Sequence, residues 1–136
     1  MKSFDQLLTH EIAAYEGRHE DLIYQAPVFY RLMVNLLDDP RLPERMRPMV
    51  LSTIAYFILP VDIIPEDIEG PYGYVDDIFL CALTARHISH ELQLDAILTE
   101  NWDGECPVLP LIEDVLTREK ELIGEQRWKM LKYIGM

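Results

Sequence analysis

The sequence predicts an all-α fold, an irregular bundle of five or six helices with a Pro/Gly-rich acidic loop between the two central helices. Apolar residues recur at spacings of three and four along most of the chain, and no stretch shows the alternation typical of strands. Hydrophobic residues make up 49% of the 136 residues, which is enough to bury a core without disulfides. Residues 1–136 are therefore predicted to form a single helical domain.

The first helix is predicted to begin at about Phe4. Ser3 and Gln6 match a capping box, in which each residue satisfies a backbone amide of the other. Apolar residues at helical spacing carry the prediction on toward Tyr24, with Gly17 as its weak point because glycine disfavours a helix interior.

The second and third helices are bounded by prolines. Pro27 suits a first helical turn, and Asp39 before Pro40 avoids the helical region, so the second helix ends there. The third helix starts at Arg47 or Pro48 and ends at Pro60. Because it is apolar nearly all round, we expect it at the centre of the bundle.

Residues 60–75 form the predicted loop, which is rich in proline, glycine and acids. Asp76 and Asp77 then open a fourth helix, where carboxylates cap free amides and favour the positive end of the helix dipole. That helix runs through Leu92. A short turn after Asp95 and helical stretches from Pro110 to the C terminus complete the bundle.

The acidic charge is concentrated in one part of the chain. The net charge is −12, and thirteen acids but one base, Arg86, lie between Asp62 and Thr117. Such a field repels phosphate backbones and attracts cations or a basic partner, so nucleic acid is disfavoured. The alternative is a solvated acidic surface that serves solubility.

The compartment is predicted from the cysteines and the termini. Cys81 and Cys106 are too few for a disulfide framework, which favours a reducing environment. The N terminus shows no export signal, and the longest apolar run, Met49 to Leu59, is too short to span a membrane. We therefore expect a cytoplasmic protein.

Residues 39–85 carry a series of residues that resembles a known family. The first motif is Asp39-Pro40-Arg41-Leu42-Pro43. The second consists of a tyrosine followed by a proline, an aspartate and another proline, at Tyr56, Pro60, Asp62 and Pro65. The third consists of a glycine, an aromatic residue and two adjacent aspartates, at Gly73, Tyr74, Asp76 and Asp77. The series is similar to the YkvA-like family, a domain of unknown function, with a family-like core at about 39–92. The resemblance implies a compact helical fold, leaves membrane-associated relatives open, and supplies no activity.

The leading candidate site is a metal site formed by Asp62, Asp76 and Asp77, with Glu66 and Asp67 as alternative ligands. Carboxylates are hard oxygen ligands that suit Mg²⁺ or Ca²⁺. The alternative is that these side chains accept backbone amides in the turn and at the helix start without binding anything. No other cofactor is predicted.

His87 and Glu91 are four residues apart and share a helix face with His90 nearby, which is a second and weaker metal candidate. Histidines near a helix C terminus are equally expected from the dipole. No nucleophile with an adjacent base, and no phosphate-binding glycine loop, is visible in the sequence.

Three functions follow from these patterns. The leading one is a non-enzymatic interaction or regulatory domain, whose acidic loop and adjacent apolar surface contact a protein partner. The second is a divalent-metal-binding protein or a metal-dependent enzyme. The third is peripheral membrane association, which the acidic balance disfavours, and self-association into a homo-oligomer stays open.

Overall fold

The computed structural model describes residues 3–17, 19–58 and 74–135. No residue in these ranges lies in a strand, and the all-α fold is confirmed. Within them, five helices of nine or more residues form the bundle, and four shorter ones lie between and after them. The helices are α1 (Phe4–Ile12), α2 (Glu20–Ile23), α3 (Ala26–Asp38), α4 (Arg47–Ile58), α5 (Tyr74–Leu92), α6 (Ala96–Thr99), α7 (Val108–Thr117), α8 (Glu119–Ile123) and α9 (Arg127–Tyr133), with a 3₁₀ turn at Glu44–Met46.

The N-terminal helix begins as predicted but ends early. Ser3 Oγ accepts a hydrogen bond from the Gln6 amide at 3.2 Å, and Gln6 Oε1 accepts one from the Ser3 amide at 3.0 Å. The predicted continuation toward Tyr24 is wrong. Gly17 has a φ of 156° and His19 a φ of 58°, and neither value is compatible with an α-helix.

Helix α5, and not α4, is the central helix. Thirteen of its 19 residues are buried, and it packs against α2, α3, α4, α6, α7 and α8. The prediction that the third helix is central is wrong. Among the described residues, the main neighbours of α4 are α3, α5 and the 3₁₀ turn. Its start at Arg47 is confirmed.

Small side chains bring α4 and α5 close together. Thr53 Oγ1 and Thr84 Oγ1 lie 2.9 Å apart across the interface, and both residues are fully buried. Thr53 also donates to the backbone oxygen of Met49 at 2.9 Å. Since a hydroxyl has one proton, Thr84 is the donor in the contact between the two threonines.

The segment between α6 and α7 is held against α3. The Trp102 ring meets the Phe29 ring edge-on, with centroids 5.2 Å apart. Arg31 donates to Asp103 at 2.8 and 3.0 Å and to Asp5 at 2.9 Å, so this segment, α3 and α1 are joined. Helix α7 begins at Val108, two residues before the predicted start.

Candidate functional site at the start of helix α5 and on the outer face of helix α4

The paired aspartates lie in the first turn of α5. The helix begins at Tyr74, and Asp76 and Asp77 are only 3% and 6% exposed. Asp76 Oδ1 accepts a hydrogen bond from the Asp77 amide at 3.2 Å. The prediction that the loop extends to Val75 and that Asp76 opens the helix is wrong by two residues, because Tyr74 and Val75 are already helical. Both aspartates lie in the first helical turn, where the helix dipole favours negative charge.

Tyr56 connects this helix start to α4. The Tyr56 hydroxyl donates to Asp76 Oδ2 at 2.5 Å, and Tyr56 is 2% exposed. This distance is typical of a hydrogen bond to a carboxylate, which is stronger than one between neutral groups. The Tyr56 ring also stands edge-on to Tyr133 of α9, with centroids 5.1 Å apart. One side chain thus joins three helices.

The negative charge of Asp77 acts on three proton-bearing groups. Burial raises the pKa of the Cys81 thiol and of the Tyr133 hydroxyl, and the charge of Asp77 raises both further. Burial also raises the pKa of Tyr74, whose hydroxyl donates to Glu11 Oε2 at 2.8 Å, with a smaller effect from Asp77. All three groups keep their protons at neutral pH, so Cys81 does not supply a thiolate nucleophile.

Four of the eight predicted motif residues lie in the described part of the chain: Tyr56, Tyr74, Asp76 and Asp77. The structure brings Tyr56 and Asp76 into direct contact. The other predicted residues, Pro60, Asp62, Pro65 and Gly73 together with Glu66 and Asp67, lie outside the described residues.

Neither predicted metal site is formed by the described residues alone. Within 3–17, 19–58 and 74–135, no three histidine, cysteine or acidic side chains lie close enough to hold an ion. The site at Asp62, Asp76 and Asp77 stays a prediction, since one of its ligands is outside these ranges. His87 Nε2 lies 3.9 Å from Glu91 Oε1, so the two share a face as predicted.

Tyr133 is a residue of this cluster that sequence reasoning missed. It packs on Tyr56 across 77 positions of sequence. Helical spacing near the C terminus identifies Leu131 and Ile134 as apolar positions, but no local pattern indicates which distant ring a tyrosine contacts.

The outer face of α4 exposes apolar side chains. Leu51 and Ile58 are 48% and 50% exposed, and Ile54 and Ala55 between them are partly buried. Spacings of three, four and seven place these four residues on one side of the helix, and we call them the α4 face. In sequence, the α4 face ends four residues before Asp62, where the acidic segment begins.

The helix pair α4–α5, joined through Tyr56 and Asp76, coincides with the part of the chain that a protein family shares. The family described as "Protein of unknown function (DUF1232)" matches residues 47–83, from the start of α4 to the middle of α5. The chain belongs to this family, and the resemblance to YkvA-like proteins is confirmed.

One relative matches over almost the whole chain. It is the "Uncharacterized protein ORF9" of Methanothermobacter thermautotrophicus, which is 30% identical over 132 residues, covering 96% of this chain and 89% of the relative. No solved structure matches the chain. Among the described residues, no helix has both the length and the apolar character needed to cross a membrane.

Proposed function

We propose that this protein is a non-enzymatic interaction domain whose α4 face binds a protein partner. The observation that carries the proposal is the half-exposure of Leu51 and Ile58 on a helix whose opposite side is buried through Val50, Tyr56 and Phe57. A single exposed leucine is ordinary on a protein surface. A row of apolar side chains over two helical turns is more typical of a binding surface.

The charge that follows the α4 face indicates the chemistry of the partner. Four acidic residues follow the α4 face in sequence, at Asp62, Glu66, Asp67 and Glu69. No lysine or arginine occurs between Ile58 and Asp77. A partner with an apolar surface bordered by lysine or arginine matches both features. Binding is therefore expected to weaken as salt screens the charges.

The apolar contribution can be estimated from the exposed fractions. Complete burial of a leucine or isoleucine contributes about 1.5–3 kcal/mol, and half of each of Leu51 and Ile58 remains to be buried. The pair therefore contributes roughly 2 kcal/mol to binding, so removing both side chains should weaken binding about 30-fold.

The test compares the wild-type chain with the Leu51→Ser/Ile58→Ser variant in affinity capture followed by mass spectrometry. Leu7→Ser is the matched control, because Leu7 is 51% exposed on a different helix. A specific partner should be retained by the wild type and by the control, released by salt, and lost by the double variant. Capture of the same proteins by all three chains would refute the proposal.

Two other occupants of the α4 face are separated by the same variants. Self-association would give a concentration-dependent dimer on sedimentation, and membrane binding would give flotation with uncharged lipid vesicles. If either result is lost in the double variant, self-association or membrane binding replaces the protein partner as the function of the α4 face.

We also propose that the protein lies in the cytoplasm, which is supported by two free cysteines, Cys81 and Cys106.

The second candidate function is binding of Mg²⁺ or Ca²⁺ by Asp62, Asp76 and Asp77. The near-complete burial of two adjacent carboxylates supports it, because a bound cation offsets the cost of holding both charges away from water. Calorimetric titration with each ion should give heat that Asp62→Asn and Asp77→Asn abolish. Asp95→Asn, an exposed aspartate of the same acidic segment, is the control. No heat at millimolar metal would remove this candidate.

A further inference from the structure

A cavity of about 420 Å³ lies between α5, α7 and α9, away from the α4 face. Four side chains that can carry positive charge line it, namely Arg86, His87 and His90 from α5 and Arg127 from α9. Cavities of this size hold small organic ligands in other proteins. The cavity is therefore large enough for a metabolite and too small for a folded partner.

Arginine and histidine side chains are more frequent at the cavity than in the acidic segment around it. The whole chain carries a net charge of −12, and Arg86, the one base between Asp62 and Thr117, lines the cavity. Among the described residues that line the cavity, Glu113 is the only acid. Each arginine is paired with one glutamate, Arg86 with Glu113 and Arg127 with Glu119, so the two pairs carry no net charge. The guanidinium N–H groups that these pairs leave unused are donors that suit an anionic ligand.

The arginines are held in place and still have donors to offer. Arg86 Nη1 lies 2.7 Å from Glu113 Oε1, and Arg127 Nη1 lies 2.6 Å from Glu119 Oε1. Each of these pairs uses one nitrogen of a guanidinium that carries five N–H groups. The two side chains are 38% and 51% exposed, so a ligand from solvent can reach their remaining donors.

Three leucines and Thr117 form the remaining lining of the cavity. Leu83, Leu116 and Leu131 line it beside the charged side chains. A ligand that fills it must therefore combine an anionic group with a short carbon skeleton. Inorganic phosphate alone would leave the leucines uncovered.

We propose that this cavity binds a small organic phosphate, with the phosphoryl oxygens toward Arg86, Arg127 and the two histidines and the carbon chain over the leucines. Two guanidinium groups and two imidazoles supply more donors than the two oxygens of a carboxylate can accept. Three phosphoryl oxygens match them better. The site is separate from the α4 face and does not depend on the function proposed for it.

The test is a two-dimensional NMR titration of the full chain with butyl phosphate, inorganic phosphate and butyrate. Butyl phosphate should bind saturably and shift the resonances of His87, His90 and Leu131. It should bind more tightly than either other probe. Arg86→Gln and Arg127→Gln should each weaken binding about tenfold, the loss expected for one hydrogen bond between charged groups. Arg45→Gln, which removes the same charge at an exposed position outside the cavity, should not.

Three results would overturn the proposal. The first is the absence of saturable shifts up to about 10 mM butyl phosphate, a concentration that would reveal even weak binding. The second is binding of butyrate or inorganic phosphate that is as tight as, or tighter than, binding of butyl phosphate. The third is unchanged binding of butyl phosphate by both arginine variants. Both arginines are partly exposed, so their loss should leave the fold intact. The shift map of the wild-type chain tests the location without any variant.

Discussion

Replacing Tyr56 by phenylalanine tests the connection between α4 and α5. The substitution removes the hydroxyl that donates to Asp76 Oδ2 at 2.5 Å and keeps the ring that packs on Tyr133. The apolar core is otherwise unchanged. Any loss of stability therefore reports on the hydrogen bond and on the carboxylate that loses this donor.

The magnitude follows from burial and charge. Tyr56 and Asp76 are 2% and 3% exposed, so water does not readily replace the lost hydroxyl. A hydrogen bond to a charged group contributes about 1.5–3 kcal/mol. We expect Tyr56→Phe to lower the free energy of unfolding by about 2 kcal/mol. For a chain of this length, that loss corresponds to a decrease in Tm of roughly 6–10 °C.

The measurement is urea denaturation followed by far-ultraviolet circular dichroism. The midpoint should fall while the m-value stays constant, because the surface exposed on unfolding does not change. Tyr30→Phe is the matched control, since within the described residues the Tyr30 ring packs on Phe4 and Phe57 and its hydroxyl has no hydrogen-bond partner. A Tyr56→Phe variant as stable as the Tyr30→Phe control would show that the contact with Asp76 contributes nothing.

Three further predictions concern buried polar groups. Thr53→Val should destabilise the fold by about 1–2 kcal/mol because it leaves the Thr84 hydroxyl buried without its acceptor, and the double valine variant should cost less than the sum of the single ones in the same denaturation assay. Hydrogen bonds from Arg41 hold the pKa of Asp39 well below its ordinary value of 3.8, so its ionised form stabilises the fold above about pH 4 and loses that effect as the pH falls further. The stability difference between wild type and Asp39→Asn should therefore be largest near neutral pH and narrow during acid titration; a constant difference would contradict this. Burial raises the pKa of Cys81, so a thiol reagent at pH 8 should modify it only after unfolding, as mass spectrometry of labelled peptides would show.

Local signals in the sequence were sufficient to predict the helical class and several boundaries. The capping box at Ser3 and the start of α4 at Arg47 both depend on neighbouring residues, and the structure has both. The break after Ile12 was missed because the apolar spacing continues across Gly17 into α2. There the backbone at His19 adopts a left-handed conformation that the spacing cannot reveal.

The central helix was assigned wrongly because composition does not show what lies next to a helix. Helix α4 is the more continuously apolar of the two, yet Leu51 and Ile58 face outward. Helix α5 lies in the middle because small residues such as Ala82 and Ala85 allow neighbours to approach from several sides.

At the candidate site, Asp76 and Asp77 could be predicted as residues of a helix start, since acids follow a glycine and precede an apolar run. Their burial and the contact with Tyr56 could not, because both depend on how α4 and α9 pack around α5. The cavity at Arg86 gave only one sequence signal, an isolated base in a long acidic segment. Its counterpart Arg127 lies 41 residues later in the chain.

The position of α5 has a consequence for biosynthesis. Its partners α2, α3 and α4 precede it, whereas α6, α7 and α8 follow it and end only at Ile123. Until the ribosome has synthesised those later helices, the apolar surface of α5 that they cover in the folded protein is exposed. Truncated chains that stop before α7 should therefore aggregate or bind chaperones. The last quarter of the polypeptide is thus needed before the middle can become soluble.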